Sequence, residues 1–336
     1  MGSFRTALPT STWRSVPEYT FPPPDRQVYI HAFLDAARPT VLHDAVRNAV
    51  RSVPPATLSA ELQAYAPATG LAMLQGTTVR DELVFAVPSA LRASPSIVGY
   101  YRLLLGISQK QFYATSAGLS QFKSMEDRGV IRKGADADIP DLCRAMNDAI
   151  GAFLAAIPTG TLRADVEQLP LITLGAQADG SWRNRIGERA TLEVYNALKQ
   201  VIIASGQSYT DVGASLTVTN SSGREVVIAL SPDPDVEIRE RLGDRDYLRA
   251  AIEIKGGSDN ANVHNRAGEA EKSHQKAKGR GANAFWTIIA CNTTDLPLLR
   301  AESPTTQQWF AIDEVRAGKG NDWDNLVAQL RLAMGI

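Results

Sequence analysis

From Val28 to about Val53 the apolar residues recur at helical spacing: Tyr29, Ala32, Phe33 and Ala36, then Val41, Leu42, Ala45, Val46, Ala49 and Val50. Pro39 and the Pro54-Pro55 pair divide this stretch into two predicted helices. Further helical segments are expected at Leu58–Tyr65, after Thr69, from Pro95 through Leu105, and at Leu142–Ile157, where Pro158 stops the pattern. Val84–Val87 is a brief apolar run. Past Leu174 the texture changes. Gly187–Ser205 predicts a long helix with Ala190, Val194, Leu198 and Val201 on one stripe, and two apolar runs, Leu216–Val218 and Val226–Leu230, flank the turn residues Asn220–Gly223 as strands. A charged helix is expected at His264–Lys278, a buried strand at Ala284–Cys291, a short strand at Trp309–Ile312 and a closing helix at Asn325–Met334. The order predicts an α/β domain over residues 170–336, a mixed sheet flanked by helices, after a mostly helical region at 28–160. Residues 1–27, rich in Pro, Ser and Thr, read as an extended arm.

The most telling pattern lies between Ser231 and Gly257. Ser-Pro-Asp-Pro-Asp-Val-Glu-Ile begins one apolar run, a charged connection from Arg239 to Arg249 follows, and Ala-Ala-Ile-Glu-Ile-Lys-Gly-Gly carries a second. In a strand, Glu253 and Lys255 project to one face while Ile252 and Ile254 face a core. Paired as a hairpin, the two runs bring Asp235, Glu253 and Lys255 to one point. That set suits a hard cation held by carboxylate oxygens, here Mg2+, with an ammonium beside it to orient or deprotonate a water and to offset charge on phosphate oxygens. An ordinary edge strand whose Glu and Lys face water would show the same triplet. Pro232-Asp233 offers a second Pro-Asp of the same strand parity; Asp235 is preferred because Val236 and Ile238 continue the strand directly.

Composition narrows the picture. The chain has 336 residues, 44% of them hydrophobic, enough for one large core or two modest ones, and its formal net charge of −1 does not mark a general polyanion binder. An anionic partner must therefore be held by locally clustered cations. No apolar run reaches the roughly 20 residues that span a bilayer. The two cysteines, Cys143 and Cys291, lack metal-ligand spacing and fit a reduced interior, so a soluble cytoplasmic protein is expected.

Two regions carry surplus cations. On the helix after Asn262, His264, Arg266, Lys272, Gln275 and Lys276 are candidate phosphate contacts or a solvated face. In Gln109–Lys133, Lys123 and Arg128 are candidates, and Glu126-Asp127-Arg128 either reads base edges or forms a salt-bridged turn. The two regions are expected to contact double-stranded DNA from opposite sides. Glu188, on the predicted long helix, is a candidate supporting carboxylate, with solvation its other fate. No histidine has the partners of a zinc ligand.

Pro234-Asp235 followed by Glu253-Ile254-Lys255 resembles the PD-(D/E)xK nuclease superfamily in order and strand context. With Gly99–Tyr113, Phe122–Gly129 and Glu253–Lys278 added, most of the chain is similar to the XcyI/XmaI family of type II restriction endonucleases. That resemblance places the family's acid, acid and lysine on Asp235, Glu253 and Lys255. It implies a homodimer that reads the palindrome CCCGGG, each protomer cutting one strand after the first cytosine to leave a 5′ overhang. A repair or junction-resolving nuclease, or a non-catalytic DNA-binding protein on the same fold, would share the motif.

Overall fold

In a computed structural model of the chain, the structure describes residues 24–158, 162–256, 263–290 and 296–336. The arm up to residue 23, Gly257, Asn262 and Cys291 lie outside the described residues, as does the side chain of His264. The chain divides into two compact units, one ending at Asp179 and the other running from Gly180 to Ile336.

The first unit is helical. It contains α1 (Asp25–Val41), α2 (His43–Arg51), α3 (Pro55–Tyr65), α4 (Ala68–Leu74), α5 (Pro88–Ala93), α6 (Val98–Leu104), α7 (Gln109–Phe112), α8 (Lys123–Arg128), α9 (Ile139–Ala156) and the beginning of α10 (Leu162–Ile203). Pro39 does not end α1. The helix runs two residues past it, at the cost of the one hydrogen bond the proline cannot donate, and breaks where Leu42 turns extended. Val84–Val87 is fully buried without becoming a strand. The side chain of Asn147 on α9 stands in for a neighbouring strand: it accepts from the Ala86 N–H at 2.7 Å and donates to the Ala86 carbonyl at 2.8 Å. Tyr100, Tyr101, Phe112, Phe122 and Met125 pack in the same core.

In the second unit a seven-stranded sheet follows chain order, from β1 (Tyr209–Asp211) through β2 (Ser215–Thr219), β3 (Glu225–Leu230), β4 (Val236–Leu242), β5 (Arg245–Lys255) and β6 (Ala284–Ile289) to β7 (Gln308–Ala311). The first five strands pair antiparallel. The last pairings are parallel, with α11 (Val263–Gly279) connecting β5 to β6 and α12 (Leu296–Glu302) connecting β6 to β7. Alternation sorts the two faces. Val236, Ile238, Ile252, Ile254, Trp286 and Ile288 meet α10, α13 (Ile312–Ala317) and α14 (Asn321–Met334), while Ala251 and Phe285 meet Ala277 of α11.

Two sequence expectations need correction. The charged stretch Arg239–Arg249 is strand rather than connection. β4 and β5 pair from Leu242↔Arg245 upward around a turn with Gly243 at φ +59°. This is possible because the one deeply buried acid there, Glu240, is neutralised by Arg224 at 2.9 Å and by Arg249. The long helix begins at Leu162, not Gly187, and passes Pro170 to reach 42 residues.

Candidate active site

The site is built where β4 begins and β5 ends. The ladder's last pairing here is Val236↔Ile252, so the Ile254 N–H lies beyond the start of β4 and needs another acceptor. Asp235 supplies it: Oδ2 accepts from that N–H at 2.7 Å, which fixes the carboxylate beside β5. Glu253 and Lys255 project to the same face as Ala251. Their Nζ–Oε1 distance is 2.6 Å, and the Glu253 side chain is 5% exposed. Gly256 follows because the chain then runs against α10. A Cβ there would fall 2.1 Å from the Ala190 Cβ.

Burial and the neighbouring Asp235 push the Glu253 carboxyl up to about 7. Burial raises the Asp235 carboxyl too, against the opposing pull of the Ile254 N–H and Lys255. For Lys255 burial acts downward, but Glu253 and Asp235 outweigh it, so the ammonium is held above its ordinary value. Two acids that resist ionising together, beside a retained cation, are a place where a bound divalent ion relieves the electrostatics. The donor atoms fit one. Among the described residues Glu253 Oε2 is buried without a hydrogen-bond partner, and the carboxylates of Asp235 and Glu253 offer only hard oxygens. Among the described residues no three His, Cys, Asp or Glu side chains are grouped to hold an ion.

Asp233, the alternative first acid, is otherwise engaged. Its Oδ2 accepts from Lys276 at 2.5 Å, which holds its carboxyl below the ordinary value. Gln275 is also committed, to Glu271 and Thr305 at 2.7 and 2.6 Å. Lys272 stands exposed on α11, and Arg266 is half-buried there. Glu188 is exposed on α10, and no described hydrogen bond or ion pair ties it to the carboxylates. In the first unit Lys123 pairs with Asp127 and lies 5.9 Å over the Tyr113 ring, whereas Arg128 is exposed. Glu126 faces inward: its side chain is 4% exposed and paired with the buried Arg102 at 2.6 Å. Of the alternatives for the Glu126-Asp127-Arg128 group, the salt-bridged one describes its first two members.

Sequence pattern did not single out Glu237 or Arg280. Glu237 stands two residues beyond Asp235 on the same face of β4 with a 4% exposed side chain, and Arg280 reaches it at 2.6 Å. Strand parity was the available signal.

The mixed seven-stranded sheet flanked by helices is an α/β fold of the nuclease-like class, and it brings the part-buried Asp235, the buried Glu253 and Lys255 together on adjacent strands. Residues 31–336 match the XcyI restriction endonuclease family. The chain is 37% identical over 307 residues to the type II restriction enzyme XcyI of Xanthomonas campestris pv. cyanopsidis, covering 90% of this chain and 92% of that protein. It is 35% identical over 309 residues to the type II restriction enzyme Cfr9I of Citrobacter freundii, covering 91% and 93%. The chain belongs to the XcyI restriction endonuclease family. It is accordingly a type II restriction enzyme, a site-specific endonuclease with DNA as its substrate, which sets aside the repair and non-catalytic alternatives. Among the described residues no helix is long and apolar enough to cross a membrane.

Proposed function

We propose that this enzyme makes Mg2+-dependent double-strand cuts at CCCGGG, after the first cytosine, acting as a homodimer in the cytoplasm. The observation that carries the chemistry is the convergence of Asp235, Glu253 and Lys255 at the junction of β4 and β5. The palindrome and the dimer rest on the family likeness, because a symmetric site calls for a symmetric reader.

Asp235 and Glu253 hold the ion. When bound, it polarises the scissile phosphate and supplies a water of lowered pKa. Lys255 faces the substrate as an ammonium, since two carboxylates sustain its charge, and it offsets the charge that builds on the phosphoryl oxygens. Lys272, exposed on α11, is the phosphate contact this arrangement leaves most available, and Arg128 is the candidate for a guanine contact. Digestion of a mixed-sequence plasmid by the purified protein with Mg2+, followed by sequencing of the ends, should give one palindrome and a 5′ overhang. EDTA should abolish the digestion. Undiminished cutting in EDTA would remove the ion from the mechanism, and blunt or scattered ends would remove the proposed site.

The raised Glu253 pKa adds a pH signature. Binding a cation there must displace a proton, so at limiting Mg2+ the single-turnover rate should climb about tenfold per pH unit below 7 and level off above it. Saturating Mg2+ should move the bend to lower pH. In the metal-free protein the folded state keeps this proton longer than the unfolded chain. Stability should therefore fall as pH rises from the ordinary value of 4.5 to about 7. Rates measured against pH at low and high Mg2+ check the first statement; a bend that ignores Mg2+ belongs to another group.

A further inference from the structure

Asp233, Asp235 and Glu237 are three acids at alternate positions, two of them on the approach to β4 and the third within it. α11 treats them differently. Lys276 takes the Asp233 carboxylate at 2.5 Å. Arg280, just past the end of α11, uses one nitrogen, Nη1, for two bonds: it donates to Glu237 Oε1 at 2.6 Å and to the Asp233 backbone carbonyl at 3.2 Å. The Ser231 hydroxyl donates to the same Glu237 oxygen at 3.1 Å, and the Ser231 N–H closes the 231–235 turn on the Asp235 carbonyl at 3.0 Å. Of the three, only Asp235 receives no cation of its own at hydrogen-bond distance among the described residues; its described hydrogen bond is the backbone N–H of Ile254.

We propose that Arg280 and Glu237 form a strap that holds the 231–235 turn against β4 and so aims Asp235 at Glu253, making Arg280 a positioning residue for the cleavage reaction. The chemistry favours an arginine here. A guanidinium nitrogen carries two hydrogens in a fixed plane, so it can join a carboxylate to a carbonyl with little loss of freedom. Glu237 is buried and acidic, yet its charge is consumed by Arg280 and approached by Arg239 at 3.8 Å, which leaves it an anchor rather than a third ligand. Half-exposed Arg280 makes the strap removable without opening a core.

The inference rests on Asp235 as the ion-holding acid, and its test has a readout independent of that role. The Ile254 amide reports directly on the Asp235 carboxylate, while Ile252, two residues earlier on β5, reports on the sheet. Arg280→Ala strands the buried Glu237 charge and can unfold the protein, so the double variant Arg280→Ala/Glu237→Gln removes strap and charge together. In metal-free protein that double variant should lose hydrogen-exchange protection at Ile254 while Ile252 keeps its own. Its Mg2+ concentration for half-maximal cleavage should rise roughly 10- to 100-fold, the usual cost of losing a residue that orients a ligand. Duplex binding without metal should be unchanged. Arg280→Lys, which restores one of the two bonds, should fall between. Wild-type protection at Ile254 with an unchanged Mg2+ requirement would overturn the strap; so would equal loss at Ile252 and Ile254, which marks a general stability role. If Ile254 loses protection but Asp235→Asn cleaves normally, the strap stands and the assignment of Asp235 falls.

Discussion

Asp235→Asn and Glu253→Gln should each lower duplex cleavage by on the order of a thousandfold or more, because each removes half of the protein's charge against a divalent ion and several kcal/mol of transition-state stabilisation with it. Both changes keep shape. The amide that Asp235→Asn introduces still offers an oxygen to the Ile254 N–H, the bond that fixes the wild-type side chain at 2.7 Å. A folded protein that binds DNA without cutting is therefore the expected outcome. Asp233→Asn is the informative neighbour. Its carboxylate is spent on Lys276, so cleavage should drop by no more than about tenfold. Single-turnover cleavage and metal-free duplex binding on the three variants decide the matter. An inactive Asp233→Asn beside an active Asp235→Asn would exchange the roles assigned to the two acids.

Much of the catalytic half was written locally. Period-two alternation in 226–230 and 250–255 places Ile252 and Ile254 in the core and Glu253 with Lys255 on the opposite face, as observed. Parity is the same for Asp233 and Asp235, so the sequence preference for Asp235 rests only on Val236 and Ile238 continuing the strand. In the structure the choice depends on where the ladder stops and on a lysine 43 residues away that occupies Asp233. The charged run 239–249 misled for a related reason: a strand can bury Glu240 only if arginines from two other positions arrive, and both are set by pairing register rather than by local pattern. Pro39 and Pro170 show the limit of punctuation, because a proline costs a helix one hydrogen bond and packing can absorb that. In the first unit the aromatics Tyr100, Tyr101, Phe112, Tyr113 and Phe122 and the cation Arg102 build the interior, while Lys110, Lys123 and Arg128 stay exposed.

That interior carries the second large expectation. Arg102 and Glu126 have 1% and 4% exposed side chains, and their bond of 2.6 Å sits in a network. Gln109 and Tyr113 also donate to Glu126 at 2.8 Å each, and Arg102 donates to the Ile107 carbonyl at 2.5 Å. Gly99 leaves the room, since a Cβ there would lie 2.9 Å from the Glu126 carboxyl carbon. Removing one charge strands the other in a closely packed interior. Glu126→Ala should therefore cost about 3–5 kcal/mol of stability, a fall in melting temperature on the order of 10 °C for a unit of this size. The pair itself need not be stabilising relative to apolar packing. Arg102→Met/Glu126→Leu should recover most of the loss, because it removes both charges and keeps the volume. Thermal unfolding of the three proteins, with duplex affinity measured on cognate and scrambled DNA well below the transition, separates core from contact. If Glu126 reads a base, Glu126→Ala will melt like wild type and lose affinity for the cognate duplex alone. If it belongs to the core, it will melt early and, where folded, discriminate between the two duplexes as the wild type does.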